Sequence, residues 1–220
     1  MFNLLENLHE PLYNRFKINN LLGQGSFSKV YRVYDKKNKR SVALKIINTN
    51  LFNNNENEIN ILKELKKKET HNITKLFESF NYNDNLYIIY KLYHISLKQY
   101  INNNKTSVNK TFVYINQILT GLDYLHKNKI IHRDIKPENI VFKNTLMSEL
   151  IIIDFGISVR FNNTIDSSRV VQTIYYRAPE IFLKSGYDYN LDIWSLGCIC
   201  YELFYQKPLF PYKKTEELFI

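Results

Sequence analysis

The run IHRDIKPENIVF, at positions 131–142, constrains this chain more than any other stretch. It places His132, Arg133 and Asp134 ahead of Lys136, Pro137 and Asn139, in the spacing H-R-D-x-x-x-x-N. IIIDFG follows, bringing Asp154, Phe155 and Gly156 after a strongly apolar strand, and then YYRAPE at 175–180. A lone DFG or APE occurs often by chance. All of them in this order, between a glycine hairpin and an apolar helix carrying DIWSLG, argue against coincidence.

The glycine hairpin is GQGSFSKV, at 23–30. It matches G-x-G-x-x-G except that Ser28 stands at the third glycine. In a dinucleotide fold such glycines end a strand and open a helix, so that pyrophosphate rests on the helix N-terminus. Here SFSKVYRVY continues with strand-like alternation, so the glycines join two strands as a flap. An ordinary glycine-containing hairpin remains the alternative for this stretch alone.

VALK, at 42–45, puts Lys45 on the next strand among apolar neighbours, where its ammonium needs a partner. A lysine snorkelling to solvent is the plainer reading. The helix NENEINILKEL supplies Glu58 as a counter-charge, with Glu56 and Glu64 as alternatives.

Composition excludes several classes. With 220 residues, 45% of them hydrophobic, the chain is long enough for one domain or one two-lobed unit and too apolar for disorder. The net charge of +9 raises the local concentration of anionic partners, but solvated lysine-rich faces explain it better than a nucleic-acid surface. The two cysteines, Cys198 and Cys200, sit in an apolar run without neighbouring histidine, which supports neither a zinc site nor a disulfide framework. They suit a reducing compartment. MFNLLENLHEPLYNRF carries acidic residues and lacks the apolar core of a secretory signal, and no stretch approaches bilayer length. A soluble protein of the cytoplasm or nucleus, without membrane attachment, is expected.

Along the chain, FKINNLLGQG, KVYRVYD and SVALKIIN predict three antiparallel strands. LFESFNYNDNLYIIYKLY adds two more around NYNDN. Between them, NENEINILKELKKK has helical spacing with Ile59, Leu62 and Leu65 on one face. Beyond Tyr93 the chain is mainly helical. NKTFVYINQILTGLDYLHKN places Phe112, Ile115, Leu119, Leu122 and Leu125 at helical intervals, predicting a long buried helix. NLDIWSLGCICYELFY is apolar almost all round, predicting a central one.

On these motifs the chain resembles the eukaryotic protein kinases over positions 13–220, after an extension of residues 1–12. The resemblance implies an α+β, two-lobed fold. It has a five-stranded antiparallel lobe with one helix at 13–90, a hinge at 91–95, and a larger helical lobe at 96–220. It implies ATP and Mg²⁺ as cofactors and a protein substrate with a Ser/Thr acceptor. The backbone of Gly23, Gln24, Gly25, Ser26, Phe27 and Ser28 would cover the ATP phosphates, which needs small residues but not a third glycine, and Leu22 would belong to the same ATP site. Lys45 would hold the α- and β-phosphates, oriented by Glu58. Val30, Ala43 and Val141 would sandwich the base. Tyr90 stands at the gatekeeper position, and the Lys91–Tyr93 backbone would bond the base edge. Lys91 departs from the usual acidic residue. Asn139 and Asp154 would hold Mg²⁺. Asp134 would accept or orient the substrate proton, and Lys136 would steady the γ-phosphate.

Lys136 followed by Pro-Glu-Asn, with Thr173 ahead of YYRAPE, resembles serine/threonine enzymes. Arg177 before Ala-Pro-Glu is similar to the branch of cyclin-dependent, MAP, dual-specificity tyrosine-regulated and SR-protein kinases. Val170 stands where the tyrosine-regulated members carry an autophosphorylated tyrosine. Ser167 and Ser168 are candidate phosphosites whose phosphate would pair with Arg133 and Arg160, with solvated loop serines as the alternative. NNNENEINILKEL does not match the cyclin-binding helix of the family. The resemblance also implies further helices after PLFP, one of which would pair a buried Glu180 and cover helix 190–205. A fragment, a truncated gene, or cover from a partner chain are the three readings. They keep a second function in view, a non-catalytic nucleotide-binding or scaffold module.

Overall fold

The computed structural model describes residues 12–25, 28–50, 56–65, 72–162 and 171–211. The chain divides into two compact units, Met1–Ile59 with Lys75–Leu92, and Asn60–Thr74 with Tyr93–Ile220.

The first unit is built on five antiparallel strands: β1 (Phe16–Gln24), β2 (Ser28–Asp35), β3 (Arg40–Asn48), β4 (Leu76–Tyr82) and β5 (Asn85–Lys91), in the order β1-β2-β3-β5-β4. A short helix, α1 (Leu12–Arg15), leads into β1. Alternation decides which side chains form the core. Tyr31 and Val33 of β2, Val42, Leu44 and Ile46 of β3, and Tyr87 and Ile89 of β5 bury together with Leu12 and Phe16. With period-2 geometry, that choice sends Ala43, Lys45, Ile88 and Tyr90 to the opposite face. The β4–β5 hairpin turns through Asn83 and Asp84, both at positive φ (43° and 53°). Asn and Asp tolerate that region best among residues with a Cβ, and it matches the strand twist. The side chain of Arg15 bridges Asp35 and Glu78, and Asp35, fully buried, also accepts from Asn38.

Helix α2 (Glu56–Leu65) spans the division of the chain at Ile59/Asn60. Ile59, Leu62 and Leu65 are buried as the spacing predicts, and Ile61 joins them. The segment after α2 belongs with the second unit because it is stitched to β8 (Leu150–Ile152). Thr74 N–H donates to the Ile152 carbonyl, Ile152 N–H to the Asn72 carbonyl, and the Asn72 amide to the Leu150 carbonyl.

In the second unit, α3 (Leu97–Asn103) starts at a capping box in which Ser96 and Gln99 satisfy each other's backbone N–H. Next come α4 (Val108–Lys127), β6 (Ile130–Ile131), a 3-10 turn at Pro137–Asn139 and β7 (Ile140–Phe142). After β8 follow β9 (Val159–Arg160), α5 (Pro179–Leu183) and α6 (Asn190–Tyr205). β6 pairs with β9, and β7 with β8. Tyr100, Tyr114 and Phe142 form one aromatic cluster under α4.

Two expectations about helix faces are corrected. The buried stripe of α4 is Thr111, Tyr114, Ile118, Gly121, Leu122 and Leu125, whereas Phe112 and Leu119 are 60% and 40% exposed. Both sides of α4 carry apolar residues, so spacing alone does not choose between them. The small Gly121 settles it: a Cβ there would lie 2.8 Å from Ile152 Cδ1, so the helix approaches β8 along that line. Helix α6 likewise buries one face only, leaving Ile193, Trp194, Phe204 and Tyr205 exposed.

Candidate active site

In the first unit the site residues share the face of the sheet opposite the cluster of Val33, Leu44 and Ile89. Val30 pairs with Lys45 across β2–β3, Lys45 with Ile88 across β3–β5, and Ala43 with Tyr90. Lys45 is buried, and its Nζ meets Glu58 Oε2 at 2.7 Å. Of the three candidate glutamates, Glu58 is therefore the partner. Glu56 is exposed, and Glu64 pairs with Arg160. The second Glu58 oxygen accepts the Tyr90 hydroxyl at 2.6 Å, a contact that sequence reasoning missed. A tyrosine inside the apolar run LYIIY was its only signal.

The glycine hairpin keeps its strand-turn-strand form. Gly23 pairs with Val30 and Gln24 with Lys29, and Gly25 N–H donates to the Ser28 carbonyl. A Cβ on Gly25 would sit 3.3 Å from Ser28 Oγ, so that position is already tight, while Gly23 faces open space. Leu22 is exposed. Ser26 and Phe27 lie outside the described residues. Lys91 N–H donates to the Lys75 carbonyl, so this donor is already engaged within the sheet. Tyr93 opens the second unit and is half-buried.

In the second unit the loop after β6 is anchored by a carboxylate from α6. Asp192, buried completely, accepts His132 N–H and Arg133 N–H at 2.9 Å each, and His126 Nε2 at 2.9 Å. This support holds Arg133 at φ +67°, a strained value for a residue with a Cβ. The His132 ring donates from Nε2 to the Ile153 carbonyl and accepts Asp134 N–H at Nδ1, which requires the Nε2–H tautomer. Its edge meets the Phe155 ring, with centroids 5.0 Å apart.

Around Asp134 three side chains close a small network. Thr173 Oγ1 donates to Oδ1 at 3.0 Å, and Asn139 Nδ2 and Lys136 Nζ reach Oδ2 at 2.9 and 2.7 Å. Lys136 also donates to Thr173 Oγ1 at 3.0 Å. With its amide nitrogen spent on Asp134, Asn139 offers its oxygen elsewhere. Ile153 N–H bonds the Asn139 carbonyl, which sets the next residue, Asp154, beside it in the chain path. Asp154 is exposed, at φ +64°. An amide oxygen and a carboxylate are hard ligands that suit Mg²⁺. Among the described residues no group of three or more His, Cys, Asp or Glu could hold a metal. Mg²⁺ bound with nucleotides commonly takes one or two protein oxygen ligands and completes its shell with phosphate and water. Val141 is buried in β7.

The segment before α5 is held by groups that sequence reasoning missed. Gln172, at φ +66°, donates to Leu191 and Ser195 and accepts Ala178 N–H. The Arg177 guanidinium takes the Val171 and Gln172 carbonyls, and burial pushes its pKa down. Tyr176 donates to Glu202 Oε2 at 2.6 Å, and Lys98 reaches Glu202 Oε1. Burial first, and then that carboxylate, push the Tyr176 phenol up. An Asp and a Glu inside an otherwise apolar helix were the available signal, because a buried carboxylate needs partners.

One expectation is corrected here, and the two arginines named as phosphate partners are seen to have other partners. Glu180 is half-buried rather than buried, and has no ion-pair partner among the described residues. Arg160 is engaged by Glu64, both about half exposed. Arg133 donates to the Ile157 carbonyl and to the Tyr187 hydroxyl. Ser167, Ser168 and Val170 lie outside the described residues.

Fold and site together define a protein kinase: residues 16–220 match the family model for the protein kinase domain, and the chain belongs to that family. It is 40% identical over 215 residues to dual specificity tyrosine-phosphorylation-regulated kinase 3 of Homo sapiens, covering 93% of this chain and 36% of that protein. It is 40% identical over 205 residues to the probable serine/threonine-protein kinase dyrk2 of Dictyostelium discoideum, covering 90% and 22%. It is 36% identical over 217 residues to dual specificity tyrosine-phosphorylation-regulated kinase mbk-2 of Caenorhabditis elegans, covering 93% and 26%. These relatives fall in the branch to which Arg177 and YYRAPE point. The chain spans 22% to 36% of their lengths.

Proposed function

We propose that this chain is an ATP-dependent kinase acting on serine and threonine hydroxyls of proteins. One observation carries the reading: the Asp134 carboxylate is held by Thr173, Asn139 and Lys136 at 2.7–3.0 Å. Each carboxylate oxygen has two lone pairs, and Oδ1 uses one for Thr173, leaving room for a substrate hydroxyl. Asp134 takes the hydroxyl proton as the oxygen attacks the γ-phosphorus. The bond from that phosphorus to the β–γ bridging oxygen breaks, and ADP leaves. Lys136, already beside Asp134, neutralises charge that builds on the transferring group. Lys45, fixed by Glu58, holds the α- and β-phosphates. Mg²⁺, when bound to Asn139 and Asp154, supplies charge neutralisation between the phosphates. Gly23, Gln24, Gly25 and Ser28 bring backbone N–H groups over them, with Val30, Ala43 and Tyr90 on one face of the sheet as walls for the base.

The sheet unit and the helical unit are read as the two lobes of one kinase domain, joined near Leu92. An intracellular place fits the burial of Cys198, whose thiol is pushed up to about 11 mainly by desolvation. Among the described residues no helix is long and apolar enough to cross a membrane. The exposed side chains Val108, Phe112, Phe204 and Tyr205, with Phe112 and Phe204 edge to face, support the reading of a covering partner chain.

The test is phosphate incorporation by the 1–220 chain with Mg-ATP and a Ser/Thr-rich protein, beside Asp134→Asn. Incorporation that falls by more than about 100-fold in the variant supports the reading. Equal silence in both, with ATP still raising the melting temperature, transfers the argument to a nucleotide-binding scaffold.

A further inference from the structure

We propose that the Tyr90 hydroxyl is a positioning group for phosphate handling: it fixes Glu58, and through Glu58 it aims Lys45. The inference rests on the kinase reading above and adds to it a role for a residue that otherwise only walls the base.

Glu58 is 3% exposed, so water cannot serve its carboxylate and each oxygen needs a protein donor. Oε2 has the Lys45 ammonium at 2.7 Å and Oε1 has the Tyr90 phenol at 2.6 Å. The second distance lies in the short range of charge-assisted O–H···O⁻ bonds. With one donor the carboxylate can swing about its last torsion, a broad and soft coordinate. With two donors, one on each oxygen, that swing is closed. An ammonium carries three N–H donors and can serve a carboxylate and phosphate oxygens together, provided the carboxylate stays in place.

Strand register makes the arrangement possible. Tyr90 faces Ala43, and Lys45 faces Ile88, so Tyr90 and Lys45 lie diagonally across the β3–β5 pair on one side of the sheet. Lysine and tyrosine are long enough to reach one carboxylate from that diagonal. Phenylalanine at position 90 would preserve the ring and the wall of the pocket but deliver no donor.

The experiment is Tyr90→Phe in the 1–220 chain, with two readouts. The first is steady-state kinetics with Mg-ATP and a protein substrate. The second is calorimetric affinity for Mg-ATP and for adenosine, which lacks the phosphates. Loss of a hydrogen bond to a charged group predicts roughly a tenfold fall in kcat/KM for ATP, with the KM for the protein substrate unchanged. The ratio of ATP to adenosine affinity should fall by a similar factor, while adenosine binding stays within about twofold. In a Glu58→Ala background, Tyr90→Phe should add nothing, since there is no carboxylate left to hold. A purely packing role would weaken adenosine and ATP alike, and that result overturns the proposal. So does an additive double mutant, or an unchanged affinity ratio. If the unaltered chain shows no turnover, the kinase reading fails by itself, and the affinity ratio still decides the role of Tyr90. Wild-type protein that binds ATP no better than adenosine ends both.

Discussion

Replacing Asp192 with asparagine exchanges one oxygen for an NH2 and leaves the volume of the side chain unchanged. Asp192 Oδ2 accepts from His126 Nε2 and His132 N–H, and Oδ1 from Arg133 N–H, each at 2.9 Å. The best an amide can do is keep its oxygen on the side with two donors. Its NH2 then points at Arg133 N–H, donor against donor. One bond to a charged acceptor disappears, worth roughly 1.5–3 kcal/mol, and the two survivors weaken to neutral strength. A loss of about 3–4 kcal/mol in unfolding free energy follows from those terms. At roughly 2–4 °C per kcal/mol for a chain of this size, the melting temperature drops by about 10 °C. Urea unfolding can be followed by the only tryptophan, Trp194, which lies on the same helix and stacks on Phe210. Phosphate transfer, assayed where both proteins are folded, should fall as well, because the backbone that carries Asp134 loses an anchor at Arg133. A stability change within about 0.5 kcal/mol at unchanged m-value refutes the reasoning. It would mean that the loop holds its shape without the carboxylate.

Arg15, Asp35 and Glu78 set the acid limb of stability. Burial pushes the Asp35 carboxyl up, but hydrogen bonds from Arg15 and Asn38 outweigh it, and the Arg15 bond holds Glu78 down directly. Both folded values lie below the ordinary 3.8 and 4.5, so this stabilisation is complete above about pH 5 and is lost as pH falls through the folded values. Arg15→Leu should therefore separate from wild type in urea midpoint at pH 7, and the two curves should converge below about pH 3. A gap of constant size across that range contradicts the assignment. At Gly121 an added Cβ would meet Ile152 Cδ1 at 2.8 Å and the Asn72 carbonyl at 3.3 Å. Gly121→Val should lower unfolding free energy by more than about 2 kcal/mol despite the gain in helix propensity, whereas the exposed Gly197 of α6 should accept alanine with a gain approaching 1 kcal/mol. Equal effects at the two sites, measured by urea unfolding, would show that packing against β8 does not restrict α4.

How much could be read in advance differed sharply between the two units. The strands were legible where burial alternates, as in β2, or where a short apolar run is bounded by turn residues, as in β5, and because NYNDN and GQG are chemically suited to their turns. The loop carrying Asp134 and Asn139 was read through the resemblance of HRDIKPEN to the kinase motif. The face of α4 was not, since Phe112, Ile115 and Leu119 compete with Tyr114, Ile118 and Leu122 for the same helical period. Nor were Asp192, Glu202 and Gln172, whose partners are backbone atoms or side chains tens of residues away. A local pattern carries no trace of such pairings. Lys45 illustrates the intermediate case: its need for a counter-charge was evident, but three glutamates stood within reach along the chain. The kinase resemblance pointed to Glu58, and the turn of α2 brings that one to the ammonium.

The kind of partner a buried carboxylate has also decides how its position can drift over evolutionary time. Glu202 is held by Lys98 and Tyr176, both through their side chains. A change at one of these can be matched by a change at another, so such clusters can be rewritten through paired substitutions. Asp192 is different, because two of its three donors are main-chain N–H groups that every residue except proline presents unaltered. No substitution at His132 or Arg133 can compensate for its loss. A lineage that loses this carboxylate must bring another acceptor to the same two N–H groups, a narrower route than exchanging one side-chain donor for another.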